Sequence, residues 1–415
     1  MKRKESNSKT MKIAIIGGGG AGMACAYYLD KDGHQVTVYE KQDMLGGNIR
    51  TLGQNIEAPK MPEGIFLEAG VVEFPHNFYH FRELMEELEV PLLPVERGSA
   101  MFLRNGRRYL SGKMIGANAQ GIKRMLEWLK MFFLRLSSLG LILRMNRLPV
   151  LAFRDKPVGH FLRAGKRAHD WVRCLLMYSY STPFKHIDDF PAELGLMAMR
   201  DYMNCNWFRV EGGVYTYIEK ILDRFRGDVH TGVAIQSVKR LDKGVEVVSS
   251  DTARLFDAVV FAVPPGQVLK MLADPTPEEQ QYFGDWKDLY SETIVHQDSD
   301  FYAPYHIQQP SRFDFFEKEE DWAYNAWLNG LCGIESTTDY GLAYNMQDRI
   351  DPEKVILTVR HHVPFYQTNA FRYRPEIIAN NGNNSTYHAG AYLGDGLHDG
   401  AVASALNVRK LIARR

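Results

Sequence analysis

Only four cysteines occur among 415 residues, Cys25, Cys174, Cys205 and Cys332, and no two form a C-x-x-C pair. That spacing excludes a zinc ribbon and a disulfide scaffold, and it suits a reducing cytoplasm. Long apolar runs are scarce as well: the richest, at 131–136, is broken by Arg135. A spanning helix needs about 20 mostly apolar residues, so the chain reads as soluble or peripheral. No apolar stretch follows the basic start MKRKESNSKTM, and no secretory signal is expected. Net charge is missing too, since 50 Lys and Arg balance 50 Asp and Glu. A protein built to coat nucleic acid would be basic, so that class is excluded. Repeats and low-complexity tracts are absent, and 45% hydrophobic with 24% charged residues is a globular composition. At about 150 residues per domain, the length predicts two or three domains.

What the sequence does hold begins with KIAII at 12–16, a β-branched run that reads as a buried parallel strand. Residues 17–22 follow as GGGGAG, then an apolar helical pattern that stops at Gly33, then a second strand, QVTVYE, at 35–40. G-x-G-x-x-G between strand and helix is the dinucleotide-binding pattern. Gly17 allows the tight turn, Gly19 lets the backbone approach a pyrophosphate, and Gly22 lets helix pack on strand. The helix start presents free N–H groups to phosphate. Glu40 ends the second strand, where a carboxylate accepts from a ribose diol and disfavours a 2′-phosphate. Gly46-Gly47 follows closely, and a second glycine pair there lets another backbone stretch lie against the same ligand.

Further along, residues 112–207 turn helical. The stretch 228–262 reads as a three-stranded meander, VAIQSVKR, GVEVVSS and ARLFDAVVFAV, ended by Pro264-Pro265. Residues 276–380 are mixed and aromatic-rich. STYHAG is a strand candidate, and the final helix is expected after the glycines at 394, 396 and 400. The adjacent His361 and His362 point apart and have no partner cluster, so no metal site is expected.

Taken jointly, IAIIGGGGAGMACAYYL, VTVYEKQDMLGGN, VEGGVYTYI (210–218), TGVAIQSVKR (231–240), FDAVVFAVPP (256–265) and YHAGAYLGDGLHDGAVASAL (387–406) resemble the flavin-dependent amine oxidase superfamily. That superfamily includes phytoene desaturases and protoporphyrinogen oxidases. The order and spacing most resemble predicted NAD/FAD-binding oxidoreductases associated with cyclopropane-fatty-acid synthases. The resemblance covers 12–74, 208–300 and 385 to the end, and is loose over 76–207. It implies an α/β fold in which a discontinuous Rossmann-like FAD-binding domain takes 11–75, 208–275 and 381–415. A mixed helical and β-sheet substrate domain takes 76–207 and 276–380, and residues 1–10 form a flexible tail. FAD is the implied cofactor. Gly17, Gly19, Gly22 and Glu40 would hold its ADP half, Gly46 and Gly47 the pyrophosphate side, and Val233 the adenine through its backbone. Gly70 would lie near the isoalloxazine ring. Gly400, Ala401 and Val402 would open a helix whose N–H groups face the flavin pyrimidine edge, where reduced flavin is negative. Gly394-x-Gly396-x-x-x-Gly400 then belongs to the same FAD site, and no independent NAD(P)H domain is seen. Reoxidation by oxygen or a diffusing acceptor, or a reaction without net redox change, follows.

The sequence departs from the family where R-x-R-x-G-G-R is common: those positions are Gln42, Met44 and Asn48, and the acid of the C-terminal block is Ala391. Phosphate neutralisation has to come from elsewhere. Neither the lysine nor the paired aromatic cage of amine-oxidising members is identified. His398 and Asp399 stand beside the expected flavin, either as proton-transfer residues or as residues that orient the loop and cap the last helix. Tyr324, Trp327, Phe365 and Tyr366 are pocket candidates or core. The function expected is FAD-dependent removal of hydride from a carbon of an apolar acyl-lipid or isoprenoid substrate. The alternatives are a fatty-acid double-bond isomerase, an amine oxidase, and a non-catalytic flavin-binding accessory subunit.

The balanced total hides a lopsided distribution. Between 101 and 175, sixteen Lys and Arg face only Glu127, Asp155 and Asp170, a local balance of +13. Ile122, Met125, Leu126, Leu129, Phe132, Phe133, Leu136 and Leu143 recur there at helical spacing. That is the pattern of a helix lying on an anionic membrane, or of one whose apolar stripe packs inward beneath a solvated basic face. The first pattern would make the protein peripheral on an inner membrane face. No nucleic-acid partner is expected, and the oligomeric state is left open.

Overall fold

The computed structural model describes residues 10–96, 98–163, 165–202 and 205–415. All but Thr10 of the expected tail lies outside the described residues. A five-stranded sheet forms the first layer, in the order Asp228–His230, Gln35–Tyr39, Lys12–Ile16, Ala258–Phe261, Thr386–His388. Every neighbouring pair in it is parallel. Ile13, Ile15, Val36, Val38, Val259 and Val260 are buried, as expected of strands covered on both faces. The helix Gly20–Lys31 packs on this sheet against the last helix, His398–Ala413.

Two expectations are corrected here. ARLFDAVVFAV is not one strand. Ala253–Phe256 completes the antiparallel meander with Ile235–Arg240 and Val245–Ser249, and Ala258–Phe261 enters the parallel sheet beside Lys12–Ile16. Asp257 is the joint: its N–H donates to the Lys12 carbonyl (2.8 Å), and its carboxylate accepts the Lys12 N–H (2.7 Å). The last helix opens at His398 rather than after Gly400.

A seven-stranded sheet forms the second layer: Val355–Pro364, Asp288–His296, Gly341–Tyr344, Trp322–Trp327, Phe313–Glu317, Ser99–Phe102, Arg108–Tyr109. It is antiparallel except where Phe313–Glu317 runs alongside Ser99–Phe102. Phe102, Tyr302, Tyr305 and Phe316 stack or meet edge-on at one end. The helical stretch over 112–207 resolves into Gly112–Asn118, Gly121–Asn146, Arg167–Tyr180 and Ala192–Tyr202, joined by 3-10 turns. No helix among the described residues is long and apolar enough to cross a membrane.

Candidate cofactor site and adjoining cavity

The glycine loop is as tight as its sequence requires. Gly17 has φ +106°, and a Cβ there would fall 2.4 Å from the Ala262 carbonyl oxygen. A Cβ on Gly22 would fall 1.9 Å from the Gly17 carbonyl oxygen, so only glycine lets the first helix start this close to its strand. The second glycine pair folds onto the first: Gly46 N–H donates to the Gly18 carbonyl (2.9 Å), and a Cβ on Gly47 would lie 3.0 Å from Gly19 Cα. Glu40 is buried at the end of the second strand, where its carboxylate accepts the N–H groups of Gly18 (2.8 Å) and Gln42 (2.9 Å). Each oxygen keeps a lone pair for a further donor. Val233 N–H donates to the Glu40 carbonyl (2.9 Å), which brings the 231–233 turn to the same edge. Thus Gly17, Gly19, Gly22, Glu40, Gly46, Gly47 and Val233 converge.

Gly70 sits under the second glycine loop. A Cβ there would lie 2.1 Å from the Asn48 carbonyl oxygen and 3.1 Å from His361 Cε1. His361, weighed in the sequence only as a metal ligand, is buried. Thr293 Oγ donates to the Ala69 carbonyl (2.6 Å), so it accepts from His361 Nε2 (2.9 Å). Burial, with Arg50 nearby, pushes this imidazole down to about 4, leaving it neutral. Ser291, paired with His361 across the strands, has a buried hydroxyl without a partner among the described residues. The adjacent His362 instead pairs with Asp288 (2.8 Å).

Arg50 is a residue the sequence did not single out. It is 4% exposed; Nη2 donates to Gln42 Oε1 (2.5 Å) while Nη1 is buried without a partner among the described residues. Burial pushes the guanidinium down from its ordinary value and Glu40 opposes that. An orphaned cationic donor behind two glycine loops fits a phosphate oxygen. Its position three residues after Gly47 was the available signal.

The C-terminal block differs from expectation. Asp395 Oδ1 accepts the N–H groups of Leu397 and Gly400 (2.8 Å each), and Ala401 N–H donates to the Leu397 carbonyl (3.1 Å). The Gly400 and Ala401 N–H groups are therefore spent inside the chain; what Gly400, Ala401 and buried Val402 provide is a tightly turned helix start. His398 and Asp399 are likewise anchored. His398 Nε2 bonds to Tyr217 Oη (2.6 Å), and its ring meets Phe74 and Phe81 edge-on. Burial pushes it down to about 4. Asp399 accepts the Phe81 N–H (2.9 Å) and bonds to His80 Nδ1 (3.0 Å), capping the helix Tyr79–Leu88. Both residues are thus held in structural bonds, and the helix that Asp399 caps is Tyr79–Leu88, not the last helix as expected.

The aromatic candidates do not gather. Tyr324 meets Tyr178 and Tyr344, and Tyr366 meets Tyr180 and Trp286. Trp327 donates to Asp339 (2.9 Å), and Phe365 meets His186. A cavity of about 320 Å³ opens instead beside Glu68, two residues before Gly70, with Ile65, Phe66, Val72, Val214 and Leu331 in its wall. Glu68 is buried and accepts the Val214 N–H (2.6 Å) and the Thr51 hydroxyl (2.9 Å). Burial pushes its carboxyl up to about 8. Arg209 also lines the cavity and makes no ion pair among the described residues. Gly333 gives it room, since a Cβ there would fall 2.1 Å from Arg209 Nη2. Among the described residues, no three His, Cys, Asp or Glu are grouped to hold a metal.

A parallel sheet whose first strand turns through G-x-G-x-x-G, an acid closing its second strand, and a large antiparallel sheet beside them define a two-layer, FAD-binding flavoprotein. The chain belongs to the flavin-containing amine oxidoreductase family, whose model matches residues 21–287. FAD is its cofactor. The glycine cradles, Glu40 and the orphaned Arg50 nitrogen fit it. A 15-cis-phytoene desaturase of Synechococcus elongatus is 36% identical over 80 residues, 19% of this chain and 15% of that protein. An L-amino acid oxidase of Bothrops pictus is 29% identical over 87 residues, 21% of this chain and 16% of that one. The chain therefore matches less than a fifth of the length of either relative. Likeness of fold is far more extensive. Putrescine oxidase bound to putrescine matches with a TM-score of 0.68 at 15% identity, over 98% of this chain and 100% of its own. The CLA-producing fatty acid isomerase from P. acnes matches with a TM-score of 0.66 at 17% identity, over 100% and 99%.

Proposed function

We propose that this chain is an FAD-dependent oxidoreductase that removes hydride from a carbon of an apolar, acyl-lipid or isoprenoid substrate. Bound FAD supplies the two-electron acceptor; the chain supplies binding, orientation and exclusion of water. The cavity beside Glu68 carries the reading. Ile65, Phe66, Val72, Val214 and Leu331 give its wall an apolar part, its buried carboxyl is uncharged at neutral pH, its half-buried cation is Arg209, and its other carboxylate, Glu335, is exposed. A cationic amine would meet no buried counter-charge there and would be repelled by the guanidinium. An acyl chain is accommodated, and Arg209 suits the carboxylate of a free acid. The desaturase among the sequence relatives supports the same reading.

A second reading is double-bond isomerisation, in which the hydride returns to the substrate. The likeness to the fatty acid isomerase over 99% of that chain supports it. Anaerobic incubation of the purified holoprotein with a lipid extract, with single unsaturated fatty acids and with simple amines separates the readings. Bleaching of the visible flavin band by lipid, with product formed only when an acceptor is added, is the expected result. Multiple turnovers without any acceptor, giving a shifted double bond, would identify the isomerase. Bleaching by amines and not by lipids, with peroxide released in air, would overturn the proposal in favour of an amine oxidase. A flavin reduced by neither class would point to a non-catalytic accessory role.

A further inference from the structure

The helix Gly121–Asn146 turns only a narrow stripe inward: Glu127, Met131, Ser138, Leu141 and Met145 are its buried residues. Two of the five are polar, and of these Glu127 keeps one carboxylate oxygen, Oε2, without a hydrogen-bond partner among the described residues. Glu127 accepts from Arg108 (3.1 Å) and Lys130 (3.3 Å), and Ser138 Oγ donates to the Leu134 carbonyl (2.9 Å). The opposite side carries large apolar residues into solvent. Ile122 is 75% exposed, Phe132 and Phe133 are 58% each, and Met125, Leu129 and Leu136 are all more than half exposed. Past the helix end, Val150 and Leu151 are exposed as well. Scattered single apolar residues are ordinary on a protein surface, but a contiguous band of this size marks an interaction site. The inward-packing alternative for this stripe is thereby corrected.

The cations flank the band. At about 100° per residue, Lys123 and Lys130 fall along one shoulder of the exposed apolar face and Arg124 and Arg135 along the other. Ion pairs of the basic segment run through Arg104, Arg108, Lys113, Lys130, Arg154, Arg167 and Arg173. Lys123, Arg124, Arg135, Arg144 and Arg147 make none among the described residues.

We propose that this face is a docking surface for an anionic lipid bilayer. The helix lies in the plane of the membrane, with its apolar band at the boundary between headgroups and acyl chains. The flanking cations meet lipid phosphates. Charge complementarity selects this occupant. A second copy of the chain seated on the same face would set Lys and Arg shoulders against their own kind, whereas anionic headgroups neutralise them. The 26 residues span about 39 Å at 1.5 Å per residue. The length is deployed along the surface, since this helix is not apolar enough to cross. The docking holds whichever carbon is oxidised and does not rest on the proposed substrate.

Flotation of the intact holoprotein with vesicles of phosphatidylcholine alone, or of phosphatidylcholine with one quarter phosphatidylglycerol, tests it. Binding to the anionic vesicles is expected to exceed binding to the neutral ones at least tenfold, and to weaken as salt is raised. The triple variant Phe132→Ser, Phe133→Ser, Leu136→Ser should cut anionic-vesicle binding at least tenfold. So should Lys123→Gln, Arg124→Gln, Arg135→Gln, Arg144→Gln in combination. All these positions are exposed, so far-ultraviolet dichroism and flavin content should stay unchanged. Failure to float with anionic vesicles would overturn the proposal, as would undiminished binding by both variants. A wild-type dimer that the triple variant converts to monomer, with vesicle binding unaltered, would assign the face to self-association instead.

Discussion

Arg50 brings a positive charge into a nearly closed place and leaves one guanidinium nitrogen without an acceptor. A hydrogen bond to a charged group contributes about 1.5–3 kcal/mol, and about 1.4 kcal/mol is tenfold in affinity. Arg50→Ala should therefore weaken FAD binding to the apoprotein by about ten- to a hundredfold in a fluorescence titration. Arg50→Lys should recover only part of that, because an ammonium cannot fork between Gln42 and a phosphate. Unchanged affinity would remove Arg50 from the site. Gly22→Ala tests the cradle itself: its Cβ would fall 1.9 Å from the Gly17 carbonyl oxygen. Since that neighbour is backbone, the loop has to move. Purification without visible flavin is the expected result, and a yellow, wild-type-like Gly22→Ala protein would show the loop to be more pliant than its geometry. In the adjoining cavity, Arg209→Gln should raise KM for a free fatty acid about tenfold or more while leaving an uncharged ester little changed. Equal effects on acid and ester would show that Arg209 only shapes the wall.

Helix Tyr79–Leu88 has no cap of its own, and the one it uses, Asp399, stands on the last helix. Loss of such a cap costs about 0.5–2 kcal/mol. Asp399→Ala should therefore raise amide exchange across 79–88 several-fold while leaving flavin content intact; protection unaltered there would show the bond to be dispensable. The same element shows where sequence reading stops. The first strand, glycine loop and helix are legible because every determinant is local: a β-branched run, G-x-G-x-x-G, then an apolar helical pattern. Glu40, Gly46 and Gly47 are legible for the same reason. The cap from Asp399, the joint at Asp257 and the diversion of the Gly400 N–H to Asp395 depend on contacts or turns that no short pattern encodes. Arg50 escaped notice because burial, not spacing, makes it unusual. The basic helix is an instructive case. Periodicity located its apolar stripe, yet the stripe faces outward: the buried side is the opposite one, where Glu127 pairs with Arg108 and Ser138 bonds back to the Leu134 carbonyl of its own helix.

Across the whole molecule, five buried groups with large shifts set opposing pH slopes; burial also pushes His34, His169, His186, His296 and His362 down and Glu73, Asp170, Glu193 and Glu219 up, on the same two sides. His361, His388 and His398 are pushed by burial to about 4, about 3 and about 4. Unfolded, each would take up its proton near 6.5. Their contribution is present above that pH and is lost as pH falls toward the folded values. Glu68, pushed up to about 8, and Asp314, pushed up to about 6, act in the other direction. The unfolded carboxyls ionise near 4 while the folded ones keep their protons, so stability is lost as pH rises toward the folded values. One proton bound by only one state is worth about 1.4 kcal/mol per pH unit. Between pH 6 and 6.5 the three imidazoles outweigh Glu68 and the remaining protonated fraction of Asp314, and stability rises with pH. Above about 6.5 the imidazoles fall silent, and Glu68 draws stability down until about pH 8. Of these five groups the sum peaks near pH 6.5. The urea midpoint of the holoprotein, followed from pH 5 to 8.5, should pass through a maximum there. Glu68→Gln should flatten the alkaline limb and leave the acid limb standing, since the amide oxygen still accepts the Val214 N–H and the amide NH2 can donate to the Thr51 hydroxyl, with no proton to lose. A midpoint that keeps rising to pH 8, or an alkaline limb that survives Glu68→Gln, would place the controlling group elsewhere.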